Sequence, residues 1–277
     1  MRLKGIRSSR NVEDRRRMSG GRAGGIGGVG LLVILALGYF AGVDVTPLLQ
    51  GQGGQGGAPR QISAEEERAA DFTRKVLATT EDVWSGVFRE RLGQNYAPPV
   101  LVLYSGVTQS PCGGASGATG PFYCPADRKA YLDTAFFATM QRQLGAGGDF
   151  AAAYVIAHEV AHHVQNELGI LPQVNQRRQA VGQVEANALT VRLELQADCL
   201  SGVWAREVGN LLEPGDLEEA LNAARQIGDD TLQRNAGKVP QPHTFTHGTS
   251  EQRQRWFARG FETGDPNSCD TFGAQRL

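Results

Sequence analysis

The sequence predicts an α+β domain, rich in helices and with a small β-sheet, preceded by one transmembrane helix. Three observations carry this prediction. Long stretches with helical periodicity and helix caps dominate residues 63–277, short apolar β-rich runs lie between them, and residues 23–43 contain no charged side chain. A helix-rich chain with a small sheet belongs to the α+β class. At 277 residues it can bury a sizeable core.

Charge is divided unevenly along the chain. Residues 1–43 hold eight basic and two acidic residues, whereas the remainder holds 20 basic and 27 acidic residues. The acidic remainder offers no positively charged surface for nucleic acid, so a nucleic-acid partner is not expected. The basic start is interpreted as a cytoplasmic tail comprising residues 1–22.

The uncharged run 23–43 lies between Arg22 and Asp44. At roughly 1.5 Å per residue, a helix of this length spans about 30 Å, the thickness of a bilayer core. The upstream arginines predict a single-pass protein of the cell membrane, with a cytoplasmic N-terminus and a periplasmic or extracellular domain. A cleaved signal peptide is the alternative, but the basic leader is long and no clear cleavage site follows. Residues 44–62 have the composition of a flexible linker, so the folded domain is expected over 63–277.

All four cysteines follow the apolar run, which suits an oxidising compartment. Cys112 and Cys124 bracket a glycine-rich loop that a disulfide would restrain. Cys199 and Cys269 would then join a central helix to the C-terminal tail. A cysteine metal site is the alternative, but the chain has no Cys-x-x-Cys spacing.

The elements of the domain follow from caps and periodicity. Ser63 can cap a helix whose first turn is acidic and which Gly93 ends. Apolar β-rich runs predict strands within 98–105, 122–125 and 129–133. Further helices are predicted over 134–145, 149–168, about 175–208 and about 214–227, and from Ser250 onward.

The histidine-rich helix carries the chemistry. His158 and His162 flank Glu159 in the pattern His-Glu-x-x-His. Positions i and i+4 project from one helix face, so both imidazoles can bind one Zn²⁺ at about 2.0–2.1 Å. Glu159 points about 100° away, where it can accept a proton from a water on the metal. The alternative, a core helix with two same-face histidines, would bury polar groups that need partners. His163 is expected to form hydrogen bonds within the domain.

A catalytic zinc requires a third protein ligand. Glu194 and Asp198 share one face of a later predicted helix, among apolar neighbours that favour burial of both acids. We expect Glu194 to bind the metal and Asp198 to accept the second N–H of a ligand histidine. Other possible third ligands are His243, His247 and Glu185.

His247 is the candidate donor for the oxyanion that forms during hydrolysis. Gly248 allows close backbone approach, and the following Thr249 and Ser250 can cap the helix that carries Arg253. The alternative is that His247 only closes the domain by hydrogen bonding, with Arg253 in a structural ion pair.

Three segments resemble a known family. "AHEVAHHVQ", "RLELQADCLSGVWA" and "HTFTHGTSEQRQRWF", in this order, resemble the bacterial neutral zinc metallopeptidases, which are membrane-anchored proteins of zincin type. The resemblance covers roughly residue 60 to the C-terminus. The pairing of His-Glu-x-x-His with Glu-x-x-x-Asp is also similar to the gluzincins. The resemblance implies a zincin-like fold and a zinc peptidase; the multi-span architecture of gluzincin membrane proteases is absent from this sequence.

The functional hypothesis is a membrane-anchored zinc endopeptidase that hydrolyses peptides or proteins. Glu159 would act as general base, and an extended substrate would pair with a sheet edge such as the strand at 129–133. Two other hypotheses remain open at this point. One is a zinc-stabilised binding module without activity, and the other is a zinc amidase acting on cell-wall peptides.

Overall fold

The computed structural model describes residues 1–17, 61–116, 120–138, 140 and 145–277. The predicted membrane span 23–43 and nearly all of the linker lie outside these residues, as does part of the helix predicted over 134–145. Within the described ranges, no helix has both the length and the apolar character that a bilayer crossing requires.

The N-terminal segment, residues 1–17, packs against the domain. Its strand β1 (Val12–Asp14) pairs in parallel with β2 (Val100–Tyr104). The side chain of Arg16 is buried and donates to the carbonyl oxygen of Glu66 at 2.9 Å. The sequence assigned these residues to a tail outside the fold. In the structure they belong to it, because their strand and ion-pair partners lie far along the chain.

A four-stranded sheet forms one layer of the domain. Its order is β1-β2-β6-β5, where β5 is Phe122–Cys124 and β6 is Lys129–Asp133. Strands β1, β2 and β6 are parallel, and β5 is antiparallel to β6. The prediction that a substrate adds to the 129–133 strand is wrong, because that strand has a partner on each side. Strands β3 (Val107–Ser110) and β4 (Gly113–Ser116) form a separate hairpin that the sequence analysis missed.

The helix caps agree with the sequence. Helix α1 (Ala64–Val87) begins with a capping box between Ser63 and Glu66 and continues into a π-helical turn, Phe88–Leu92. Gly93 follows in the left-handed conformation, at φ 64°. The histidine-rich helix α2 covers Asp149–Glu167.

The helix predicted over 175–208 is instead two helices. Helix α3 covers Ile170–Gln179 and α4 covers Gln183–Glu207, and the extended backbone of Gly182 begins α4. Helix α5 (Asp216–Gln226) follows. The short helix α6 (Asp229–Asn235) was not predicted.

Helix α7 (Ser250–Thr263) begins with a capping box between Thr249 and Gln252 and lies directly against α4. A Cβ atom at Gly260 would lie 1.9 Å from the carbonyl oxygen of Cys199, and one at Gly202 would lie 2.1 Å from that of Phe257. Glycine at both positions therefore lets the two helix backbones touch. This contact brings α7 side chains to the face of α4 that points towards α2.

Both expected disulfides are present. Cys112–Cys124 ties the β3–β4 hairpin to β5, and Cys199–Cys269 ties α4 to the C-terminal 3₁₀ turn Pro266–Cys269. The second disulfide lies within the main hydrophobic core.

Candidate metal centre

Helices α2 and α4 bring three predicted ligands together. The Nε2 atom of His158 lies 3.0 Å from Oε2 of Glu194, and Nε2 of His162 lies 3.4 Å from Oε1 of the same carboxylate. One potential ligand atom of each residue lies within 4.8 Å of the others. Two imidazole nitrogens and one carboxylate oxygen form the donor set of a catalytic zinc site, which leaves one position for water or substrate.

Asp198 lies behind His158. Its Oδ1 atom is 3.0 Å from Nδ1 of the imidazole. An ionised carboxylate can only accept, so Nδ1 carries a proton and Nε2, on the side of the ligand set, is the nitrogen available to a metal ion. Tyr154 also donates its hydroxyl to this oxygen, at 2.5 Å. Tyr154 was not singled out from the sequence, although it lies one turn before His158 on the same helix face.

The charge of Asp198 is balanced by Arg253 on α7. The guanidinium donates through Nε to Oδ2 at 2.8 Å and through Nη2 to Oδ1 at 2.9 Å, and both side chains are almost completely buried. Burial would raise the pKa of Asp198, but Arg253 and His158 together lower it to about 2. Arg253 thus forms the structural ion pair that the sequence left as one of two possibilities.

The acidic ligand is held in its ionised form. Burial would raise the pKa of Glu194, but the charge of His162 and hydrogen bonds with both histidines hold that pKa well below its usual value. An ionised carboxylate is the form that binds a metal ion. Glu159, on the helix between the two histidines, is partly exposed, and burial of its carboxyl group raises its pKa.

His163 has a structural environment. The ring is fully buried; Nε2 lies 2.6 Å from the carbonyl oxygen of Ala97, and Nδ1 lies 3.0 Å from the hydroxyl of Tyr123. The carbonyl can only accept, so Nε2 carries the proton and Tyr123 donates to Nδ1. His163 therefore joins α2 to the edge strand β5, in line with its expected role.

His247 is held by Asp229, a residue that the sequence analysis missed. Nδ1 of His247 lies 3.3 Å from Oδ1 of Asp229. The other carboxylate oxygen, Oδ2, accepts from the backbone N–H groups of Thr246, His247 and Gly248. The imidazole is about half exposed, at 49%, and near enough to Glu194 for its charge to contribute to the lowered pKa of that carboxyl. Asp229 is the first residue of α6, where acidic side chains are common, so the sequence gave no signal that it would contact His247.

The other candidate third ligands lie elsewhere. Glu185 is exposed and pairs with Arg177 at 2.8 Å. His243 is exposed in the 3₁₀ turn Pro242–Thr244, where its carbonyl oxygen accepts from Asn187. His247 is held at the rim of the site by Asp229. The geometry thus favours Glu194 among the four candidates.

Comparison with known proteins assigns the chain to a family. The family described as "Putative neutral zinc metallopeptidase" matches residues 1–272. The chain belongs to this family. It is 51% identical over 285 residues to "Uncharacterized protein YpfJ" of Escherichia coli K12, with 99% of each chain covered. It is 44% identical over 216 residues to "Uncharacterized protein Rv2575" of Mycobacterium tuberculosis H37Rv, which covers 73% of this chain and 71% of the relative. No solved structure matches the chain.

The family match begins at residue 1, and the Escherichia coli relative matches nearly the whole chain. The N-terminal segment is therefore part of what these proteins share. The resemblance inferred from three motifs covered only residue 60 onward and so missed this part of the family.

Proposed function

We propose that this member of the family is a zinc-dependent endopeptidase. The observation that carries the proposal is the convergence of the two Nε2 atoms of His158 and His162 on the carboxylate of Glu194, with Glu159 beside them. When bound there, Zn²⁺ would lower the pKa of a water molecule and polarise the scissile carbonyl group. Glu159 takes the proton of the attacking water and passes it to the leaving amine.

The dyad of His247 and Asp229 supplies a second catalytic function. Asp229 accepts from Nδ1–H of His247. The ring can therefore donate from Nε2 only in its cationic form, in which both nitrogens carry a proton. The carboxyl group of Asp229 is ionised. Burial would raise its pKa, but the hydrogen bonds from His247 outweigh burial and hold that pKa below its usual value. We assign His247 the role of donating a hydrogen bond to the oxyanion of the tetrahedral intermediate.

Strand β5 is the proposed docking edge for an extended substrate. Among the described strands it has one neighbour, β6, and its other edge is the one to which we assign the substrate. The Tyr123–His163 hydrogen bond fixes β5 to the helix that carries the metal ligands. A peptide added to this edge would therefore run alongside α2.

The test uses the purified full chain loaded with one equivalent of zinc and incubated with casein, mixed peptides and cell-wall muropeptides. We expect cleavage of peptide bonds in casein or the mixed peptides. The matched control is Glu159→Gln, which should keep its zinc and lose turnover because the general base is not a ligand.

Each other outcome points to a different function. Cleavage of muropeptides alone would replace the endopeptidase by an amidase. Zinc binding without turnover on any substrate, equal in Glu159→Gln and the unaltered chain, would indicate an inactive zinc-stabilised module.

A further inference from the structure

Gln165 is a fully buried amide on α2, three positions after His162. Its Oε1 atom lies 2.8 Å from Nδ1 of His162. Its Nε2 atom donates to the carbonyl oxygen of Leu193 at 2.7 Å and to Oε1 of Gln196 at 3.1 Å. All these groups belong to α2 and α4, the two helices that carry the metal ligands.

The carbonyl oxygen of Leu193 determines which way the amide of Gln165 faces. A carbonyl can only accept, so the NH₂ group of Gln165 must face Leu193 and its oxygen must face His162. The second amide hydrogen goes to Gln196, whose own NH₂ group donates to the carbonyl oxygen of Cys269 at 3.1 Å. Turning the Gln165 amide over would place two oxygens together at Leu193, in a site without water contact.

This orientation determines which nitrogen of His162 carries the proton. Because Oε1 of Gln165 can only accept, Nδ1 of His162 must donate, and Nε2, which faces Glu194, is the nitrogen left to bind a metal ion. His158 reaches the same state by a different route, through the charged pair of Asp198 and Arg253. The two ligand histidines are thus oriented by one ionic and one neutral partner.

We propose that Gln165 is a positioning residue that fixes the tautomer and ring orientation of His162 and thereby sets the affinity of the site for its metal ion. The proposal rests on the zinc site of the proposed function.

Three variants of the full chain separate positioning from packing. Gln165→Leu removes the acceptor for His162 and the donor to Leu193. Gln165→Glu keeps an acceptor for His162, but an ionised carboxylate cannot donate to Leu193. Gln196→Leu removes one partner of Gln165 and leaves its contacts with His162 and Leu193.

The first readout is the zinc dissociation constant, measured by competition with a chelator, together with the thermal midpoint of each variant. Loss of an outer partner of a ligand histidine typically weakens metal binding 10–100-fold, and we expect this in Gln165→Leu. Gln165→Glu and Gln196→Leu should have lowered thermal midpoints and zinc affinity close to that of the unaltered chain. A purely structural Gln165 would instead make zinc affinity follow thermal stability across all three variants, and that result would overturn the proposal.

The second readout does not need metal or activity. The chain has five histidines, so ¹⁵N-histidine NMR spectra of the metal-free protein resolve individual tautomers. We expect Nδ1 of His162 to carry a proton in the unaltered chain and in Gln165→Glu, whether or not Nε2 also donates to Glu194, and this Nδ1 proton to exchange faster with water in Gln165→Leu. An Nδ1 of His162 without a proton in the unaltered chain would overturn the proposal even if no variant folds. If the unaltered chain binds no zinc, the proposed function fails, while the NMR spectra still decide the role of Gln165.

Discussion

The metal centre and the N-terminal segment both contain ion pairs between distant parts of the chain, but only the metal centre builds them from residues one helical turn apart. In the metal centre, each helix contributes a pair of functional residues spaced by one turn: His158 with His162, and Glu194 with Asp198. In the N-terminal segment, Arg7 pairs with Glu81 and Asp82, far along the chain. Residues with a one-turn spacing are readable from the sequence, and an ion pair whose members have no such local spacing is not.

The N-terminal segment, residues 1–17, supports two opposite interpretations. As a tail before an apolar run, its basic residues predict a cytoplasmic N-terminus. In the structure, β1 pairs with β2, and Glu13 of β1 pairs with Lys129 of β6. A single membrane crossing between residues 17 and 61 would place these partners on opposite faces of the membrane. The docked segment and the predicted topology therefore cannot hold in the same molecule.

The largest expected effect is loss of the metal from ligand variants. Changing His158, His162 or Glu194 to alanine removes one of three donors, and we expect zinc content to fall from one per chain to near zero. Atomic spectroscopy of the purified variants measures this. Stoichiometric zinc in Glu194→Ala would move the third ligand elsewhere and break the agreement between sequence and structure at this site.

Arg253→Met tests the buried pair behind His158. It leaves the carboxylate of Asp198 buried without its cation, which typically costs about 3–5 kcal/mol. Denaturant unfolding measures the loss of stability. The matched control is Arg259→Met on the same helix, whose side chain is exposed and donates to a backbone carbonyl. Equal losses in both variants would show that the pair has no special role.

The Asp198–Arg253 pair also predicts that the free energy of unfolding decreases at low pH. The folded pKa of Asp198, about 2, is below its unfolded value of about 3.9. Its stabilising contribution is therefore present above pH about 4 and is lost as the pH falls towards 2. In Asp198→Asn the slope of unfolding free energy between these pH values should be shallower than in the unaltered chain.

His247→Ala tests the proposed oxyanion donor. Loss of one such donor should lower kcat by about 10²–10³, with zinc content and thermal midpoint little changed. His243→Ala is the matched control, since that ring is exposed and away from the ligand set. Unfolding of His247→Ala at ordinary temperature would instead assign His247 to closing the domain.

A small expected effect comes from the N-terminal segment. The Arg7 side chain is about half exposed, so Arg7→Gln should cost no more than about 1 kcal/mol despite two ion pairs. Calorimetry of the variant measures this. A much larger loss would mean that the docked segment is as tightly constrained as the metal centre.

Topology is tested by labelling rather than by stability. Lys4→Cys and Lys238→Cys place exposed thiols on the N-terminal segment and on the domain. A membrane-impermeant maleimide on intact cells should label both thiols or neither if the segment is docked. Labelling of Lys238→Cys alone would support the single-span topology and exclude docking in the cell.

The sequence by itself determined the elements whose signals are local. Ser63 caps the helix as predicted, in a capping box with Glu66, and Gly93 ends the segment that Ser63 begins. His158 and His162 on one face of α2, Glu194 and Asp198 on α4, and both disulfides also lie where the sequence placed them. Each of these depends on residues one helical turn apart, or on a small number of cysteines with few possible pairings.

Only the tertiary structure decided what depends on pairing between distant segments. The order of the strands placed 129–133 inside the sheet and left β5 at its edge. The crossing of α4 and α7 at Gly202 and Gly260 brought Arg253 to Asp198, and the neighbouring backbone of α4 set the direction of the Gln165 amide. The N-terminal segment joined the fold for the same reason. Hydrogen-bond and ion-pair partners far along the chain leave no periodic signal in composition, so their choice emerges only when the chain is packed.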